Sequence, residues 1–96
     1  DLGRNKRTVS AAQRRALVIR DRHCRMPGCY RPASWCDAHH LLAWDQLGRT
    51  DLSDMCLLCR HHHTLIHRDG WTITNQGHGI LIFTRPDGTT LPNGPP

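Results

Sequence analysis

Five cysteines and eight histidines stand in a chain of 96 residues, and most of them fall between Cys24 and His67. This crowding constrains the fold more than any other feature. A chain so short buries only a modest core, and domains of this size commonly need a structural metal to hold them. With 38% hydrophobic and only 5% aromatic residues, nothing in the composition offers another staple. The cysteine count is odd, and paired Cys beside His in a reducing compartment argue for metal ligation rather than disulfides. One domain is expected over residues 1–96, with its core at about 22–71.

The remaining composition bounds the class. No apolar run is long enough to span a bilayer and no secretory signal is visible, so a soluble, cytoplasmic protein without a membrane partner is expected. Lys and Arg number 13 against 8 Asp and Glu, a net charge of +5, which favours a polyanionic partner without distinguishing it from a merely solubilising surface. The chain lacks an initiator Met and starts on the polar stretch Asp1 to Arg7, as expected for a segment of a longer protein with another domain upstream.

Ser10 followed by Gln13 reads as a capping box opening a helix to about Arg22, with Ala12, Ala16 and Ile19 inward and Arg14, Arg15 and Arg20 toward solvent or phosphate. Pro27 and Gly28 between Cys24 and Cys29 predict a tight turn that gathers both thiols. Residues 35–43 read as a strand, Trp44 to Met55 as a loop, Cys56-Leu-Leu as a second strand, and Arg60 to Arg68 as a helix stopped by Gly70. Trp71 to Thr74 and Ile80 to Phe83 flank a turn-rich stretch and predict a hairpin. Residues 1–9 and 86–96 read as flexible, the latter because Pro, Gly and Thr dominate there. The expected class is α+β: strand, loop, strand, helix, with a helix before and a hairpin after.

The helical stretch carries two ligand pairs. His63 and His67, four apart, share one face, whereas Cys59 and His62 lie roughly 90° around the axis, so one short helix can serve two metals. Cys24, Cys29, Cys59 and His62 would give a closed tetrahedral zinc site, a structural arrangement. Cys56-Leu-Leu-Cys59 is itself a CxxC, which leaves Cys56 as a competing ligand, although a Cys opening an apolar strand most often packs as a small hydrophobe. Cys36 has the same reading, with a supporting role open through its closeness to His39. For the second site, His39, His63 and His67 supply three imidazoles and leave positions free for water and phosphate, as catalytic sites do. A lone His is more often an ordinary core or surface residue; the density of histidines between 39 and 67 weighs against that here. His23, His61 and His78 read as incidental.

Other metal motifs fail on spacing. A C2H2 finger needs about twelve residues between its pairs, but 32 separate Cys29 from His62. His63-Thr-Leu-Ile-His67 lacks the Glu that zinc proteases place after the first His.

Taken together, Cys24-x4-Cys29, Asp37-Ala-His39-His40, Trp44, Thr50-Asp-Leu and Leu58-Cys59-x2-His62-His63-x3-His67 resemble the zinc-containing HNH endonucleases, in particular the HNH domains at the C-terminal end of longer bacterial and phage proteins. The resemblance implies a ββα-metal fold with a zinc knuckle, a structural Zn²⁺, and a catalytic divalent metal (Mg²⁺, Mn²⁺, Zn²⁺ or Ni²⁺). It also implies double-stranded DNA as the substrate, cut to 5′-phosphate and 3′-hydroxyl ends. By position, His40 matches the first H of the name and the general base, Asp54 the middle N, and His63 the last H; His39 and His67 match additional metal ligands. Two positions depart from the pattern: Asp54 stands where the family has Asn, and Leu47 where close relatives often have the first of two glycines. Residues that contact nucleic acid are not marked by any motif. The alternative reading is a zinc-stapled DNA-binding module without catalysis.

Overall fold

The computed structural model describes residues 9–41 and 52–96. The expectations for residues 1–8 and for Trp44, Leu47, Gly48 and Thr50-Asp51 lie outside the described residues. The architecture is α+β, with two α-helices and two antiparallel sheets.

Helix α1 spans Ala11–Asp21, and its start is written locally: Ser10 Oγ accepts from the Gln13 amide at 3.1 Å while Gln13 Oε1 accepts from the Ser10 amide at 3.0 Å. Two of the four amides that a helix start leaves without partners, those of Ser10 and Gln13, are satisfied in this way. The inward face differs from the expected one. Leu17 and Asp21 are buried, whereas Ile19 is 75% exposed. The stripe turns because Asp21, one turn beyond Leu17, is drawn inside: its Oδ2 accepts from the Leu57 amide at 3.0 Å and its Oδ1 pairs with Arg25 at 3.1 Å. Two of the arginines read as outward-facing also make structural bonds, Arg20 while staying exposed and Arg14 from a half-buried position. Arg14 donates to the Ala33 carbonyl, and Arg20 to the Leu52 and Met55 carbonyls.

Strand β1, Cys36–His40, pairs antiparallel with β2, Met55–Cys59, in a register that sets Cys36 opposite Cys59 and His39 opposite Cys56. β1 starts one residue later than expected, because Trp35 closes a short 3₁₀ turn with Ala33 and Ser34, and it stops at His40, before a bend at Leu41. Leu52–Asp54 forms a second 3₁₀ turn in place of loop. Every residue of β2 is buried, as expected of a strand covered on both faces, here by α1 and by α2, Arg60–Asp69. Gly70 ends α2 in the left-handed conformation, φ 75°, at which a side chain would be strained.

The C-terminal part corrects the expectation of a hairpin with a flexible tail. β3, Thr72–Gly77, and β4, Ile80–Thr84, form the hairpin, and β5, Thr90–Asn93, adds a third strand along β4. Asp87 and Thr89 close the intervening turn, with the Thr89 amide and hydroxyl both donating to Asp87 Oδ1. Ile73, Leu81 and Phe83 bring this sheet into the common core with Leu17, Met55, Leu57, Leu58 and Ile66. Among the described residues no helix is long and apolar enough to cross a membrane.

Candidate metal centres

Two groups of side chains converge, and they are the two read from spacing. Cys24, Cys29, Cys59 and His62 bring their donor atoms within 4.8 Å of one another, as do His39, His63 and His67, and each group could hold a metal ion.

The first centre joins two turns. Gly28, at φ 84°, and a bond from the Cys29 amide to the Met26 carbonyl at 2.9 Å fold the Cys24 to Cys29 segment back on itself. The Arg25 amide then donates to the Leu57 carbonyl at 2.9 Å and fastens this turn to β2. Cys59 ends β2 and caps α2, and His62 sits in the first turn of that helix, its Nδ1 3.3 Å from Cys59 Sγ and 3.6 Å from Cys24 Sγ. Burial pushes the Cys24 thiol up to about 12, so a thiolate at that position calls for a compensating cation. Cys59 is also penalised by burial, but the His62 amide, Arg31, Cys24 and Cys29 bring it below the ordinary thiol value. His62 is lowered by burial and by its neighbours His61 and Arg31, which favours the neutral, ligating form.

Neither of the other two cysteines belongs to this cluster. Cys56 is wholly buried in β2, and that burial pushes its thiol up, as for a packed hydrophobe. Cys36 turns its Sγ to the Pro32 and Arg31 carbonyls, at 3.4 and 3.8 Å, and burial pushes it up to about 11. His61 lies outside both clusters with its ring centroid 5.1 Å from that of His62.

The second centre lies where α2 crosses β1. His39 is buried, its ring centroid 5.1 Å from those of both His63 and His67, and His67 Nε2 is 3.1 Å from His63 Nε2. His39 Nδ1 is buried and finds no hydrogen-bond partner among the described residues. A buried nitrogen without a partner is costly unless it has a ligand to bind. Burial first, then the neighbouring His63, His67 and His40, lowers His39 to about 3, and burial with His63 lowers His67, so both imidazoles stay neutral at ordinary pH. Beside this cluster an open groove of about 400 Å³ is lined by His63, Thr64, His67 and Arg68.

Asp37 is the functional residue that the motif reading quoted without a role. In a strand, residues two apart share a face, so Asp37 stands beside His39 under α2, and its Oδ2 accepts from His63 Nδ1 at 3.2 Å. The bond sets the His63 tautomer: Nδ1 carries the proton and Nε2 presents its lone pair to the cluster. Arg60 completes the link, 3.8 Å from Asp37 Oδ1. The alternation with His39 was the available signal.

His40 is half-buried, outside the ligand cluster, and is the last residue of β1. His40 is still in register opposite Met55, and the bend falls only after it, at Leu41. Asp54 lies at the end of its 3₁₀ turn, and its backbone carbonyl accepts from the Leu41 amide at 2.7 Å. The tie between the residue after His40 and position 54 is thus made by main chain, whatever side chain stands there.

No family model matches the chain. No solved structure matches it. The chain is similar to longer mycobacterial proteins. It is 41% identical over 81 residues to the uncharacterized protein Rv1128c of Mycobacterium tuberculosis, covering 84% of this chain and 18% of that protein. It is 41% identical over 78 residues to the uncharacterized protein Rv3776 of the same organism, covering 80% of this chain and 15% of that protein. With the uncharacterized protein Mb1179c of Mycobacterium bovis it shares 38% identity over 81 residues, again 84% of this chain and 18% of the relative. The chain thus spans less than a fifth of the length of these curated relatives.

Proposed function

We propose that this chain is a metal-dependent nuclease domain of the HNH type that hydrolyses DNA phosphodiester bonds. The observation that carries the reading is the three-imidazole cluster of His39, His63 and His67, open on a groove and held by a strand pair and a helix, with His40 ending the same strand.

The donor sets fit the two ions. In a tetrahedral zinc site with Zn–S near 2.3 Å and Zn–N near 2.0–2.1 Å, sulfur and nitrogen ligands lie about 3.5 Å apart. The His62 nitrogen is 3.3 and 3.6 Å from two of the three sulfurs, those of Cys59 and Cys24. Cys24, Cys29, Cys59 and His62 would then fill all four positions of a structural Zn²⁺. At the second centre one ring nitrogen of His39 and the converging Nε2 atoms of His63 and His67 would supply three donors to a divalent ion, leaving room for phosphate and water.

In this reading neutral His40 takes a proton from water as it attacks phosphorus in line with the leaving 3′ oxygen. His39, His63 and His67 would hold the ion, and Asp37 fixes His63 in the ligating tautomer. An ion bound there would supply charge stabilisation to the phosphate and the leaving oxygen. Asp54 contributes through its main chain, which anchors the segment following His40. The positive charge of the chain suits a polyanionic substrate.

One observation favours a second reading, a zinc-stapled DNA-binding module without catalysis: Asp54 accepts but, when ionised, cannot donate the side-chain hydrogen bonds of an Asn. Supercoiled plasmid incubated with the purified chain and Mg²⁺, Mn²⁺, Zn²⁺ or Ni²⁺ separates the two. Nicking that is lost with chelator and in His40→Ala supports the nuclease. DNA binding without cleavage in any of the metals supports the module, and a His40→Ala chain that cleaves at the wild-type rate removes His40 as base.

A further inference from the structure

Arg31 Nη1 donates to Cys59 Sγ at 3.5 Å. The two residues belong to different ligand-bearing segments, so this contact spans the closed centre from the outside. Its placement is set by backbone. The Cys24 amide donates to the Arg31 carbonyl at 2.9 Å, and His23 bridges to the adjacent Pro32. The chain leaving Cys29 is thus laid back along the chain entering Cys24, which brings the Arg31 side chain to the Cys59 sulfur.

The charge of the centre gives this contact a role. Three thiolates and a neutral imidazole around a dication leave one net negative charge, and a guanidinium held against one of the sulfurs cancels it. Two neighbouring groups are engaged elsewhere: Arg14 donates to the Ala33 carbonyl, and the Cys36 thiol turns to the Pro32 and Arg31 carbonyls. A hydrogen bond to a thiolate also withdraws electron density from the sulfur, which makes it a poorer nucleophile.

We propose that Arg31 is a positioning residue for the closed Cys24, Cys29, Cys59 and His62 centre, one that holds its metal in place and shields the Cys59 sulfur from electrophiles. The proposal rests on reading that centre as a zinc site. It is independent of catalysis, because both of its consequences are read on zinc and sulfur.

The experiment compares the full chain as wild type, Arg31→Met, Arg31→Lys and, as a control for bulk charge, Arg15→Met. Zinc affinity is measured by competition with a chromogenic chelator. Sulfur reactivity is measured with iodoacetamide, whose carbon is attacked by the thiolate as iodide leaves, with the alkylated cysteine identified by mass spectrometry. Loss of an outer partner of a metal ligand typically weakens binding ~10–100-fold, and for a solvent-exposed arginine the lower end applies, ~10-fold for Arg31→Met. Cys59 is expected to be alkylated several times faster in that variant, with Arg31→Lys intermediate and Arg15→Met equal to wild type. The backbone bonds at position 31 do not depend on the side chain, so an unchanged circular dichroism spectrum is expected; should Arg31→Met misfold, Arg31→Lys carries the test. Wild-type behaviour of the Arg31 variants overturns the proposal, as does an equal loss in Arg15→Met. A wild-type chain that holds no zinc overturns the reading of the centre and the proposal with it, whereas zinc retained equally by all variants overturns the role of Arg31 alone.

Discussion

At the scale of single residues, the second centre depends on protons being kept off particular nitrogens. Asp37 does this for His63 by accepting from Nδ1, so Asp37→Ala frees the ring to turn and to change tautomer. About a tenfold or greater loss of divalent-ion affinity at the open centre is expected. Isothermal titration with Ni²⁺ tests it, with zinc content showing that the closed centre is retained. His39 is kept neutral by burial and by its histidine neighbours, which lower it to about 3 from an unfolded value of 6.5. Below that unfolded value the unfolded chain binds the proton and the folded chain does not, so stability is full above about pH 6.5. It declines as pH falls from there toward 3. Thermal unfolding of the chain between pH 7 and 4 should show this decline, and His39→Gln should flatten it. The ligands themselves were legible in the sequence because Cys and His at helical and turn spacings have few other reasons to cluster. Arg31 was not, and of Asp37 only its alternation with His39 was visible, since their partners Cys59 and His63 come from other segments that only the backfolded turn and the packing of α2 on β1 bring near.

At the scale of elements, local signals proved accurate where an element depends on its own ends. The Ser10 and Gln13 box and the Gly70 stop lie where the sequence placed them. Ser10→Ala removes the acceptor for the Gln13 amide and should destabilise the chain by about 1 kcal/mol, read as a lower urea midpoint with an unchanged slope. Faces and edges were harder to read. Ala12, Ala16 and Ile19 have helical spacing, but the face that α1 buries is decided by Leu17 and by the hydrogen bonds available to Asp21 in the interior. Thr90–Asn93 contains a proline and follows Gly and Asp, a composition that locally reads as tail. It becomes a strand because it lies on the outer edge of β4, where a proline in place of an amide donor is tolerated.

At the scale of the whole molecule, one buried ion pair ties together segments far apart in the chain. Asp21 and Arg25 are both almost wholly buried, and Arg25 Nη2 donates to the Gly79 and Gly94 carbonyls at 2.8 Å each, while Asn93 Nδ2 donates to the Arg25 carbonyl. Helix α1, the cysteine turn, β2 and the C-terminal sheet thus meet on two side chains. Asp21 is shared, since Arg20 also donates to both of its carboxylate oxygens, but Asp21 is the carboxylate that Arg25 pairs with; its removal leaves the Arg25 charge buried without a counter-charge, so Asp21→Asn should lose about 3–5 kcal/mol, measured by chemical denaturation. Nothing local in the sequence marked this pair, because its partners lie up to 69 residues away. The α+β order and the two centres could be read from spacing; the way the terminal sheet is fastened could not. The adjacency of His62 and His63 on α2 has a consequence for how such a chain can vary. The two centres share a helix with no spare residue between their ligands. One residue inserted after His62 would rotate His63 and His67 by about 100°, away from His39, while leaving Cys59 and His62 in place. An exposed position outside both clusters such as His61 is free to change identity, but the count of residues from Cys59 to His67 is not free to change. Length conservation in this stretch, more than conservation of its intervening residues, should therefore mark those homologous chains that keep both centres.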